Sequence, residues 1–137
     1  MNIWLIVTIW HIYDTLVIYI FSLLLKNSSL YDPFWSVAPI PIVLYMALNF
    51  DNSIESQLLV LIPILFWGIR LTHNWLMGWD GFEHEDFRYI DLKNTNKIQA
   101  EINNLFGIHL IPTLIVNFSL FPISFILLNN INPKTYL

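Results

Sequence analysis

Four long apolar runs follow one another along this chain, separated by shorter polar breaks. The first, Ile3 to Leu25, contains one histidine and one acid, His11 and Asp14. As a helix it would extend roughly 34 Å, enough to cross a hydrocarbon layer of about 30 Å. The second run, Phe34 to Phe50, carries Pro39 and Pro41 and is therefore expected to be kinked or partly unwound. A third spans Leu58 to Met77 and a fourth Leu105 to Leu128, with a polar loop over 78–104 between them. In lipid a spanning segment must satisfy its own backbone hydrogen bonds, so runs of this length predict helices. The expected fold is all-α: a polytopic transmembrane helical bundle of about four spans, forming a single membrane domain over 1–137.

Composition sharpens that reading. Hydrophobic residues make up 56% of the 137 positions and charged residues 12%, with a mean hydropathy of +0.59, far from the balance of a soluble globule. The net charge of -4 and the lack of a basic patch speak against a nucleic-acid partner. With no cysteine there is no disulfide, thiolate nucleophile or cysteine-based metal site. The N-terminus lacks a basic region and a small-residue cleavage site, so the first run reads as a retained span.

The polar residues inside and between the spans carry the remaining information. His11 and Asp14 are three apart and are expected to form an interhelical hydrogen-bonded pair on one helical face. In the turn Lys26 to Pro33, the Asp32-Pro33 step biases Asp32 towards extended geometry and lets Pro33 open the next helix. Trp67, Arg70, Asn74 and Met77 recur at spacings of three and four and share a face. Arg70 lies within an apolar run, where a cation either snorkels or needs an anionic partner; Asp32 sits on the same expected membrane side. His109, a lone histidine, is expected to be packed and hydrogen-bonded. The tail Asn129 to Leu137 is polar and expected to be frayed. Lys26, Arg88, Lys93 and Lys97 fall on one side and Lys134 on the other, which favours the first side as cytoplasmic.

Arg70 to Tyr89 gathers most of the groups able to do chemistry. Glu83, His84, Glu85 and Asp86 offer metal-ligand atoms, but four consecutive residues cannot all converge, and no paired-histidine spacing appears, so no metal site is expected. Neither a nucleophile elbow nor a glycine-rich phosphate loop is present. What remains is an acid at a cavity mouth, basic groups suited to phosphate, and amide and aromatic groups around them. That set suits an anionic cofactor beside an apolar substrate. The Trp67, Trp75 and Trp79 cluster also fits the aromatic belt of any membrane protein.

Three motifs carry a resemblance. They are Tyr31-Asp32-Pro33-Phe34-Trp35-Ser36-Val37-Ala38-Pro39; Arg70-Leu71-Thr72-His73-Asn74-Trp75, running on through Gly78, Trp79, Gly81, His84, Glu85, Asp86, Arg88 and Tyr89; and Phe106-Gly107-Ile108-His109-Leu110 with Pro112-Thr113. Together they resemble the uncharacterised membrane proteins related to steroid 5α-reductase. The resemblance implies a helical membrane enzyme that binds NADPH on the cytoplasmic side and reduces a carbon–carbon double bond conjugated to a carbonyl in a sterol-like or other apolar lipid. It further implies that Asp32 is the acid near the substrate carbonyl. Arg70, Asn74, Arg88 and Tyr89 would bind the cofactor, with Arg88 on a phosphate; Trp35 and Trp67 would face the substrate, and Glu85 and Asp86 would orient the arginines. Where the reductases place a tyrosine three residues before the span arginine, this chain has Trp67, so their tyrosine–acid pair is not reproduced there. Family members continue through further spans with a terminal Pro-Asn-Tyr-x-Gly-Glu type motif. By that measure the chain corresponds to the N-terminal half and is expected to act with a separate C-terminal half or as a homo-oligomer. An isoprenylcysteine-methyltransferase-like enzyme and a non-catalytic truncated membrane protein are the alternatives.

Overall fold

The computed structural model describes residues 3–129, and every regular element among them is helical. The calls on the polar tail beyond Asn129, including Lys134, lie outside the described residues. Helix α1 covers Ile3–Leu25, and a 3₁₀ turn at Ser28–Leu30 leads into α2 at Tyr31–Val37 and α3 at Pro39–Asn49. Helix α4 covers Ile54–Met77 and α5 Phe87–Lys93. A continuous helical stretch from Lys97 to Leu128 then comprises α6 (Lys97–Ile102), a π-helix (Asn103–Leu110), α7 (Ile111–Ser119) and α8 (Phe121–Leu128).

Among the described residues three helices are long and apolar enough to cross a membrane: α1, α4 and the Lys97–Leu128 stretch. The second expected span differs. It is divided at Ala38 into two short helices, because Pro39 cannot donate a backbone hydrogen bond and instead occupies the first position of α3. The third begins four residues earlier than expected, at Ile54, where the Ser53 side chain caps the Ser56 amide. The last begins at Lys97, with Asn96 capping the Gln99 amide, so much of the expected loop is helical. Asp32, expected to be extended, lies instead in the first turn of α2. The steric clash of a residue preceding proline is a bias that packing overrides here, and Pro33 falls among the first-turn positions whose amides lack a helical partner anyway.

Two apolar clusters hold the bundle. Val7, Ile42, Val43, Met46, Ala47, Val60, Leu120 and Leu127 join α1, α3, α4 and the last helix. Tyr31, Tyr89 and Ile108 form the second, backed by Ile18, Phe34 and Trp35. A ladder of buried polar groups runs alongside them. Thr113 Oγ1 meets both Thr15 Oγ1 and Tyr31 Oη at 2.8 Å, while Thr8 donates to Asn117. Such bonds link helices in an apolar surrounding where burial in lipid alone adds no drive.

His109 is buried as expected. Its Nδ1 donates to the Asn104 carbonyl (2.8 Å), which leaves Nε2 to accept from Ser22 (3.1 Å). The expected His11–Asp14 pair does not form. His11 is buried beside Asn117, whereas Asp14 is exposed. A separation of three residues leaves about 60° between two side chains on a helix, and the edge of the buried face falls between them.

Candidate functional site

The site begins where α1 stops. Lys26 adopts a left-handed φ of 54°, and the amides of Lys26 and Asn27 return to the carbonyls of Leu23 and Ser22. This double bond closes the helix and reverses the chain. It aims Asn27 at the loop after α4, where its amide donates to the carbonyls of Phe82 (2.9 Å) and His84 (3.0 Å). The Asn27 oxygen accepts from the Ser29 amide at 2.9 Å. Ser29 Oγ accepts from the Asp86 amide at 2.8 Å, and Glu85 accepts from the Ser28 amide and from Lys93. Asn27, Ser28 and Ser29 thus clamp the loop and present α5. In the sequence they look like an ordinary polar turn; their partners lie more than fifty residues away.

Asp86 is the N-cap of α5 and accepts from the Arg88 amide at 2.9 Å. The same carboxylate takes both forks of the Arg88 guanidinium at 2.8 Å, and Arg88 lies 3.8 Å from Asp32. The next residue, Tyr89, is buried and donates its hydroxyl to Asp32. An acid and a phenol therefore meet at one wall of a cavity of about 600 Å³. Burial pushes the Asp32 carboxyl up from its ordinary value, with the Tyr89 bond and the Arg88 charge pulling it part of the way back. Tyr89 is pushed up by burial and by its bond to Asp32. Asp86 is held below the usual carboxylate range, chiefly by its Arg88 hydrogen bonds.

The cavity is walled by α2, α4, α5, the π-helix and α7. Of the residues singled out from sequence, Asp32, Trp35, Asn74, Asp86, Arg88 and Tyr89 all line it. Trp67 does not line it, but its ring meets that of Trp35 edge to face at 5.7 Å. Arg70 is exposed and lies outside the lining. It precedes Leu71, a lining residue, by one position, and 100° of helical rotation turns it away. Asp86 orients Arg88 as expected, whereas Glu85 pairs with Lys93 and with neither arginine. Trp67 makes no contact with Asp32 that would stand for a tyrosine–acid pair, but Tyr89, on a different element, does hydrogen-bond Asp32. Gly107, Ile108 and Pro112 belong to the third motif, where sequence reading assigned them no role; with Ile115 and Val116, which it did not mark, they form the far wall. Gly107 lies in the π-helix, and a Cβ built there would meet nothing within 4 Å. An adjoining polar pocket of about 280 Å³ shares Asp32, Trp75, Gly78 and Asp86 with the cavity and adds Asp80, His84 and Glu85.

The Asp86–Arg88 pair makes stability depend on pH. The folded carboxyl titrates below its unfolded value of about 3.9, so the pair's contribution is complete above that value and is lost as pH falls through the folded one. Denaturant unfolding of the wild type and of Asp86→Asn should differ at neutral pH and converge in acid. Asparagine caps a helix as well as aspartate does, so only the charge is tested. A gap that persists unchanged at low pH would exclude this origin.

A model of the family described as "Protein of unknown function (DUF1295)" matches residues 18–136. No curated protein and no solved structure matches the chain.

Proposed function

The chain belongs to the DUF1295 family, the one related to steroid 5α-reductase, and on that premise we propose that its cavity binds an apolar lipid carrying an enone and polarises the carbonyl for reduction of the conjugated double bond. The observation that carries this reading is the Asp32–Tyr89 pair at the wall of an otherwise largely apolar cavity. Asp32 takes the Tyr89 hydroxyl on Oδ1, and Oδ2, which the Arg88 guanidinium approaches at 3.8 Å, is the atom that holds a proton towards a substrate oxygen. The raised pKa of the half-buried carboxyl favours that neutral, donating form. As negative charge develops on the oxygen, the donated bond strengthens, and the Tyr89 bond behind it stabilises the charge left on Asp32. Arg88 opposes full neutralisation of the Asp32 carboxyl.

NADPH is the proposed hydride source, and hydride is what it supplies when bound. The lining fits the uncharged end of such a dinucleotide: the Asn74 amide matches a carboxamide and the Trp75 ring offers a flat face. It does not fit the phosphates. Arg88 is the one cation lining either cavity among the described residues, and Asp86 and Asp32 already share it. The phosphates are therefore assigned to groups outside these cavities. Arg70, exposed and one turn from Asn74, is the candidate within this chain. We place the site on the cytoplasmic side, where Lys26, Arg88, Lys93 and Lys97 gather.

The test is spectroscopic and needs no cofactor. The π→π* band of a cyclic enone added to the purified chain in detergent should move to the red, as a conjugated carbonyl's does on accepting a strong hydrogen bond. An unshifted spectrum with demonstrated binding would exclude carbonyl polarisation.

A further inference from the structure

The cavity continues past its tryptophan wall. A second chamber of about 370 Å³, apolar but for Ser119, shares Val116 with the first. Along each lining helix its residues lie one or more turns deeper. Pro39 follows Trp35, Pro63 precedes Leu71 on α4, and Ile123 lies beyond Val116. From the helical rise, the two chambers are centred about 10 to 15 Å apart along one groove. Trp35 lines the first and Trp67 the second, and their edge-to-face contact forms the partition. The Ser119 hydroxyl is satisfied by the Val116 carbonyl at 2.6 Å, so it leaves no unmet donor there. A chamber without unmet polar groups does not hold ordered water.

The geometry points to a substrate with a straight acyl or isoprenoid chain, its carbonyl at Asp32–Tyr89 and its tail threaded past Trp35 and Trp67 into the second chamber. This assignment rests on the enone-binding reading and narrows its substrate class. A fused-ring sterol is rigid and broad and fills the first chamber only. A flexible chain passes the Trp35–Trp67 partition and fills both. The hydrocarbon comes from an environment as apolar as the groove, so its gain on binding comes from packing rather than from leaving water.

Straight-chain enones of increasing length, titrated into the full chain in detergent and read by the absorption shift, test this directly. Affinity should rise by about ten-fold over the series and then level off. Ser119→Phe, at an exposed position that projects into the second chamber, should cancel the rise for long chains and leave short ones unchanged. Trp67→Ala, which opens the partition, should move the plateau to longer chains and checks the result independently should the phenylalanine variant misfold. Affinity independent of length, equal losses for short and long chains in Ser119→Phe, or tighter binding of a rigid steroid enone would each overturn the assignment. Failure of the parent reading looks different: the red shift would survive in Asp32→Leu, which has no donor at that position, while the length dependence remained.

Discussion

Asp32→Asn should lower enone reduction by about 10²- to 10³-fold, within the usual contribution of a positioned general acid, because its amide still donates a hydrogen bond but cannot give up a proton. The substitution keeps the shape and the acceptor oxygen for Tyr89, so the fold and the phenol bond survive, but an amide cannot deliver a proton from the position of Oδ2. The loss should therefore fall on kcat, with KM little changed, because apolar packing supplies most of the ground-state binding. Tyr89→Phe should cost less, about ten-fold, and should carry a distinct mark. The phenol bond lowers the Asp32 carboxyl, so its removal lets that value rise further. Reduction depends on the neutral acid, so activity is present at low pH and is lost as pH rises through the Asp32 value. In Tyr89→Phe the descending limb of the profile should move to higher pH. The measurement is the rate of reduced-nicotinamide consumption against pH with a straight-chain enone, for the wild type and both variants. A wild-type rate in Asp32→Asn, or a limb that moves to lower pH in Tyr89→Phe, contradicts the assignment.

The second large effect is structural. Gly68→Ala should destabilise the protein by about 1 to 3 kcal/mol, and Gly68→Leu by more, because overpacking moves backbone as well as side chains. Gly68 is where α4 closes on α2 and α3. A Cβ there would stand 2.7 Å from the Ser36 carbonyl oxygen and 2.8 Å from Ile40 Cδ1. Ile40 can turn aside, but the Ser36 carbonyl is backbone and moves only with α2. Close approach through a small residue is the usual route to tight helix packing in a membrane. Gly107→Ala is the matched control. Its Cβ meets nothing, so the change should be neutral or stabilising by up to about 1 kcal/mol through helix propensity. Unfolding in a denaturing detergent compares them. Since Asp32 and Trp35 ride on α2, Gly68→Ala should also weaken the enone shift. Equal stability of the two variants would mean that the α2–α4 contact is looser than described.

Some of the site could be read without coordinates because it is encoded locally. Asp86 and Arg88 are two residues apart, and a carboxylate at a helix N-cap naturally receives the arginine that follows it. Trp35 follows Asp32 on the same short helix, so both turn towards one cavity. The expectation failed where a contact depends on which helix lies opposite. Glu85 was assigned to an arginine but meets Lys93, which α5 carries back to it, and Ser28, which the Lys26 reversal brings near. Arg70 and Asn74 are one turn apart, yet only Asn74 faces the cavity, because the boundary of the wall passes between them.

Sequence alone determined the class of the protein and the outline of its bundle. Runs of apolar residues longer than a bilayer is thick permit helices and little else, since lipid offers no partner for an open backbone. It also determined which residues carry charge within reach of the polar loop. Only the tertiary structure decided that Tyr89 meets Asp32 across 57 positions, that α2 and α3 divide at Ala38, and that a second apolar chamber lies beyond Trp35 and Trp67. Periodicity tells which side of a helix is apolar. The partner of each side chain is set by how helices cross and where the chain reverses, and those depend on packing among residues far apart in sequence.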